Sequence, residues 1–192
     1  MDSRFRIMAA YRIAATSLAH VGIIPEVQHA LVEWIKATTP SKRGVLIGGL
    51  AMSFYAKPRT TDDVDLLFLE PSDIPEEVPG FKRYRAGAFQ ENATHVEVEV
   101  TTPYSFENLP IAVVRKVLST AVEFDGLKVA SREGMIALKL CSAQVPKRRF
   151  KDMADVASLL DGNLNLSMTA WSLGADALLL LDEIRSTLGA SK

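Results

Sequence analysis

Polar and apolar residues alternate with a period of two along residues 94–102 (THVEVEVTT), so Val96, Val98 and Val100 face one way and His95, Glu97 and Glu99 the other. That pattern predicts a strand with one buried face, stopped by Pro103. A shorter apolar run at Val45, Leu46 and Ile47 leads into Gly48 and Gly49, then helix-forming residues, a loop at Pro58, and Asp63-Val64-Asp65-Leu66-Leu67. Strand, glycine turn, helix and acid-bearing strand are expected in that order. On the strand, Asp63 and Asp65 share a face, about 7 Å apart at Cα.

Helical spacing governs much of the remainder. Residues 3–19 predict a helix that is apolar on much of its surface. Gly22 breaks it, Pro25 opens a second helix, and residues 26–37 place Val27, Ala30, Leu31, Trp34 and Ile35 on one stripe that packs on the sheet. Residues 71–80 carry three prolines and predict a surface loop, and residues 81–89 suggest a strand bearing Lys82, Arg83 and Arg85. Residues 109–121 predict a helix, Asp125-Gly126 a turn, and residues 127–130 a short strand. Ser131 is a good N-cap for the helix carrying Met135, Ile136, Leu138, Lys139 and Leu140. Beyond Pro146 a further helix holds Lys151, Asp152 and Asp155, and residues 167–188 supply one or two more, with the ALLLLDEI segment in the core. The expected class is α/β (α+β): a small mixed sheet with flanking helices. Residues 1–125 would form the core with N-terminal helices, and residues 126–192 a mainly helical C-terminal part.

Composition narrows this little. The chain has 192 residues, 48% apolar and 23% charged, with a formal net charge of -1, as in an ordinary soluble domain. A basic cluster at Lys147, Arg148, Arg149 and Lys151 can still serve nucleic acid on one face. Cys141 is the single cysteine, which excludes an intramolecular disulfide and a Cys-rich zinc site and fits a reducing cytoplasm. Residues 4–24 loosely imitate a secretory signal, but Arg12 and His20 interrupt the apolar stretch and no clean cleavage site follows, so neither a signal nor a membrane span is expected.

The paired carboxylates of Asp63 and Asp65 suit a hard divalent cation. The Gly48-Gly49 turn would present backbone N–H groups beside a helix N-terminus, which suits a phosphate. Read in isolation, residues 61–65 are as readily a loop followed by a partly exposed edge strand as a metal site. A later strand with further acids moves the balance. Two acids from one strand and a third from its neighbour can hold two divalent ions roughly 3.5–4 Å apart, the arrangement used for nucleotidyl transfer. His95 offers a general base or a structural strand histidine, and Trp34 and Trp171 read as packing residues.

The pattern Gly48-Gly49 followed by Arg59-x-Thr61-x-Asp63-Val64-Asp65 resembles the signature of the polymerase-beta-type nucleotidyltransferase superfamily. The downstream segment from Ser131 through Lys139 to Ala143, then Arg148, Arg149 and Lys151-Asp152-x-x-Asp155, is similar to its AbiEii-type branch, which includes toxins of toxin–antitoxin and phage-defence systems. The resemblance spans about residues 30–162. It implies a nucleotidyltransferase-like fold and an enzyme moving a nucleoside monophosphate from an NTP to an acceptor hydroxyl, with tRNA a candidate acceptor and a cognate antitoxin a candidate partner. By the same resemblance, Asp63 and Asp65 bind Mg2+ (or Mn2+), with Glu99, or else Glu97, as the third ligand. Gly48 and Gly49 approach the triphosphate, with Thr61 in the same motif. Lys139 reaches a phosphate or an active-site acid, and Asp152 completes the site or orients that lysine. Arg59 clamps a phosphate or pairs with Asp62 or Asp63, Arg148 and Lys151 add cations for the nucleotide, and the basic run from Lys147 to Lys151 together with Lys82, Arg83 and Arg85 gives a tRNA acceptor a surface. The chain departs from the pattern twice: glutamate stands where aspartate is more often the third acid, and Gly49 where many members have serine. Transfer to a small-molecule hydroxyl, such as an antibiotic, and a non-catalytic binding module are the alternatives.

Overall fold

The computed structural model describes residues 24–56, 60–105, 109–124, 126–146, 149–160 and 166–190. The predicted helix over residues 3–19 lies outside them. The described elements run α1 (Pro25–Ala37), β1 (Val45–Ile47), α2 (Gly48–Met52), β2 (Asp63–Leu67), β3 (Phe81–Arg85), β4 (Ala88–Glu91) and β5 (Glu97–Thr101). They continue with α3 (Ile111–Thr120), β6 (Val122–Phe124), β7 (Leu127–Val129), α4 (Arg132–Ser142), α5 (Arg149–Leu160) and α6 (Ala175–Ala190).

The strands form one mixed sheet in the order β3-β4-β5-β2-β1-β7-β6. β2 runs antiparallel to β1 and parallel to β5, and β1 runs parallel to β7. Period-two alternation divides the two faces. Val64, Leu66, Val98 and Val100 are fully or almost fully buried on one face with Phe89. There α1 packs on β2, and Trp34, fully buried, meets the Phe81 and Phe89 rings nearly edge-on at 5.4 and 5.2 Å. Asp63, Asp65, Glu97 and Glu99 therefore lie on the opposite face. At the β1 end of that face, α2 packs on β1, β2 and α4, and α4 packs on α5.

Local signals explain the elements nearest the site. Pro25 occupies the first turn of α1, where its missing N–H costs nothing. Ser131 caps α4, its hydroxyl accepting from the Gly134 amide at 3.1 Å. Several expectations change. The strand of the THVEVEV segment begins at Glu97, because His95 takes a left-handed φ of 62° in the preceding turn. Residues 81–91 hold two antiparallel strands around Gly87 rather than one. The helix of residues 109–121 ends at Thr120 and is followed by β6, a three-residue strand too short to show a period. β6 and β7 pair antiparallel and join the same sheet as the other strands. In α6 only one side of the ALLLLDEI segment is core: Leu180 and Leu181 are buried, whereas Leu179 is 67% exposed.

Candidate active site

The site begins where β1 ends. Gly48 takes a φ of 69°, open to glycine and strained for other residues, and a Cβ there would stand 1.7 Å from Asp65 Oδ2. The turn thus brings backbone directly against a carboxylate. The helix that follows has five residues, barely more than a turn, so its macrodipole is smaller than the sequence suggested and the backbone N–H groups carry most of any anion attraction.

The parallel β2–β5 register pairs Asp63 with Glu97 and Asp65 with Glu99. Carboxylate oxygens of Asp63, Asp65 and Glu99 all lie within 4.8 Å of one another. Glu97 is on the same face but engaged elsewhere: its carboxylate accepts hydrogen bonds from the Tyr84 hydroxyl and the Arg85 guanidinium. Arg85 also stands 4.0 Å from Glu99. On the other side, the Thr61 hydroxyl, 4% exposed, donates to Asp63 Oδ1 at 2.8 Å and fixes that carboxylate. Burial, followed by the charges of Asp63 and Glu99, pushes the Asp65 carboxyl up to about 7, against a smaller opposing pull from Lys139 and Lys151. A buried acid raised by two neighbouring acids is what hard oxygen donors for a divalent ion look like before the ion's charge is counted.

Helices α4 and α5 supply the facing wall. Lys139 pairs with Asp152 and with Asp155, each at 2.8 Å, and all three side chains are largely withdrawn from solvent. Burial alone would lower the Lys139 ammonium, but Asp152 and Asp155 outweigh it and hold its pKa above the ordinary value. Asp152 Oδ2 is buried without a hydrogen-bond partner, an acceptor that a ligand's donor would satisfy. Between the walls lies a cavity of about 350 Å³ whose lining includes Gly48, Gly49, Thr61, Asp152 and the exposed Lys151. Met135, Leu138 and Leu109 contribute apolar surface to it.

The structure therefore brings together Gly48, Gly49, Thr61, Asp63, Asp65, Glu99, Lys139, Lys151 and Asp152 around one cavity, and keeps Glu97 off its lining. Arg59 and Arg148 lie outside the described residues. His95 sits exposed in the turn before β5 and is not on the acid face of that strand. Three more residues take part in the ion pairs and hydrogen bonds around the site: Asp155, Tyr84 and Arg85. Asp155 was legible, since residues three apart on a helix share a face and both acids then meet one lysine. Tyr84 and Arg85 were not, because their grip on Glu97 depends on the β3–β4–β5 register.

These features suit a nucleotidyltransferase, the class to which the family match assigns the chain. The chain belongs to the nucleotidyl transferase AbiEii toxin family of Type IV toxin–antitoxin systems, whose family model matches residues 29–187. No match is found among curated proteins. In three dimensions the chain is similar to the crystal structure of an antigenic nucleotidyltransferase-like protein from Paracoccidioides brasiliensis, at 19% identity, over 76% of this chain and 80% of that one, with a TM-score of 0.48. Among the described residues, no helix is long and apolar enough to cross a membrane.

Proposed function

We propose that the protein transfers a nucleoside monophosphate from an NTP to an acceptor hydroxyl, with tRNA as the acceptor, in a reaction that depends on Mg2+ or Mn2+. The observation that carries this reading is the convergence of Asp63, Asp65 and Glu99 oxygens within 4.8 Å of one another, on the edge of a cavity also lined by Lys139 and Lys151. Asp63, Asp65 and Glu99 would hold the divalent cation, which supplies charge neutralisation for the triphosphate and the developing pentavalent centre.

The chain's own groups do the rest. Thr61 holds Asp63 in one orientation, and the Gly48-Gly49 backbone leaves room for a triphosphate beside it. Lys151 and the Lys139 ammonium present positive charge to the β- and γ-phosphates, while Asp152 and Asp155 keep Lys139 charged and in place. The acceptor oxygen forms its bond to the α-phosphorus as the bond to the bridging oxygen breaks, and pyrophosphate leaves with that electron pair. The hydroxyl proton passes to a carboxylate oxygen of Glu99. Membership in a Type IV toxin–antitoxin family supports a cognate antitoxin as a partner. Incubating purified protein with Mg2+, each α-labelled NTP and total tRNA tests the reading. Label is expected in tRNA and absent without the metal; no transfer to any RNA by folded protein would overturn it.

A further inference from the structure

The acidic face of the sheet continues past Glu97 and Glu99, and there it meets basic side chains. In register, Glu99 pairs with Ala88 and Ala88 with Arg85, while Glu97 pairs with Gln90 and Gln90 with Lys82. β3 is an edge strand, and its Lys82, Tyr84 and Arg85 are exposed. Arg83 goes the other way. Its guanidinium lies 4.7 Å from the centre of the Phe89 ring and donates to the Pro75 carbonyl at 3.0 Å. Arg85 instead reaches across β4 at Ala88, whose methyl is small enough to let it pass, to hydrogen-bond Glu97 and stand 4.0 Å from Glu99.

The cations of the site thus fall into two groups on opposite sides of the acid trio. Lys139 on α4 and Lys151 on α5 line the cavity with the glycine turn that follows β1, and α4 packs on α2 there. Arg85 and Lys82 stand on the β5 side, on the edge strand β3, Arg85 beside Glu99 and Lys82 in line with Glu97 across Gln90. In-line displacement needs the attacking and leaving oxygens at opposite ends of the reacting phosphorus. If pyrophosphate leaves toward Lys139 and Lys151, the acceptor enters from the β5 side. A polyanionic acceptor arriving there meets Arg85 and Lys82 first.

We propose that the exposed edge of β3 is the docking surface for the acceptor strand, an RNA approaching with its 3′ end. Lys82 and Arg85 take successive backbone phosphates, Arg85 innermost beside Glu99, and the half-exposed Tyr84 ring between them offers a stacking surface for a base. Glu97, bonded by both Tyr84 and Arg85, sets the guanidinium at the rim of the trio, where the Arg85 side chain is 48% exposed and its Nε–H reaches the Tyr84 hydroxyl at 3.4 Å. This inference rests on the transfer reading above but concerns only the acceptor's side of the site.

The test is fluorescence anisotropy of a short labelled single-stranded RNA with a free 3′ hydroxyl, titrated with the full chain over a range of salt. Wild type is compared with Lys82→Ala, Arg85→Gln and, as a control on the distant α1, Lys36→Ala. With a salt slope of about -0.7 per phosphate on single strands, each site variant is expected to bind about fivefold more weakly at about 0.1 M salt and to show a shallower slope by about 0.7. The Lys36→Ala protein is expected to match wild type, and binding of each labelled NTP with Mg2+ is expected to hold in all. RNA binding by wild type with no loss in either site variant would overturn the docking surface while leaving the transfer reading in place. A loss confined to NTP binding would put these cations on the donor side and also overturn it. Absence of RNA binding by wild type would remove both this inference and RNA as the acceptor. Lys82→Ala touches no member of the trio, so its result does not depend on how the carboxylates respond to loss of Arg85.

Discussion

Gly48 and Asp65 are interlocked: the Asp65 carboxylate fills the space that a Cβ on Gly48 would need, its Oδ2 1.7 Å from that position. The glycine is therefore a condition for the carboxylate's position as well as for the turn. Gly48→Ala is expected to abolish nucleotidyl transfer and to cost about 1–3 kcal/mol through its left-handed φ. Transfer assays beside thermal unfolding check this. A fully active Gly48→Ala protein would mean that Asp65 can move without consequence.

Asp65 makes the pH dependence of stability specific. Its carboxyl is raised from 3.8 to about 7 in the folded protein. Between those values the unfolded chain has already lost the proton that the folded chain keeps, so Asp65 lowers stability progressively as pH rises from about 4 to about 7, and the loss then levels off. At about 1.4 kcal/mol per unit the effect reaches an upper limit of about 4 kcal/mol. Asp65→Asn is expected to be more stable than wild type at pH 8 and to lose that advantage toward pH 4. Urea unfolding at the two pH values measures it. A divalent cation should narrow the gap at pH 8, since it offsets the same charge.

Lys139 holds two buried acids at once. Lys139→Met leaves Asp152 and Asp155 without their cation and is expected to destabilise the fold by about 3–5 kcal/mol at pH 8. The Lys139→Met/Asp155→Asn double variant should regain part of the loss. No rescue by the second change would argue against the buried cluster.

Thr61 separates positioning from packing. Thr61→Val keeps the shape and removes the donor to Asp63, and is expected to lower kcat at least tenfold with a stability cost near 1 kcal/mol. Thr61→Ser restores the hydroxyl and should restore most of kcat. Equal activity in the Val and Ser proteins would show that the hydrogen bond is incidental.

The sequence made the acid strands and the helix ends legible because each rests on a short-range rule. Alternation placed Asp63 and Asp65 on one face of their strand and Glu97 and Glu99 on one face of theirs, and Ser131 and Pro25 marked the starts of α4 and α1. What it left open depends on contacts between distant segments. The β2–β5 register and the arm of Arg85 across Ala88 distinguish Glu99 from Glu97, and neither has a local signal. His95 was misplaced for the same reason: its left-handed turn is set by the path back from β4 to β5 rather than by the alternation itself. β6 is too short for any periodicity, and the exposed side of α6 reads as core because four consecutive leucines hide which two face outward.

The most direct measurement is the affinity of Mn2+ for wild type, Asp63→Asn, Glu99→Gln and Glu97→Gln, read by the loss of free-ion electron paramagnetic resonance signal. Asp63→Asn and Glu99→Gln are expected to weaken binding by about tenfold or more, with Glu97→Gln retaining wild-type affinity because Glu97 is bonded by Arg85 and Tyr84. Loss of Mn2+ binding in Glu97→Gln with none in Glu99→Gln would contradict the account at its centre.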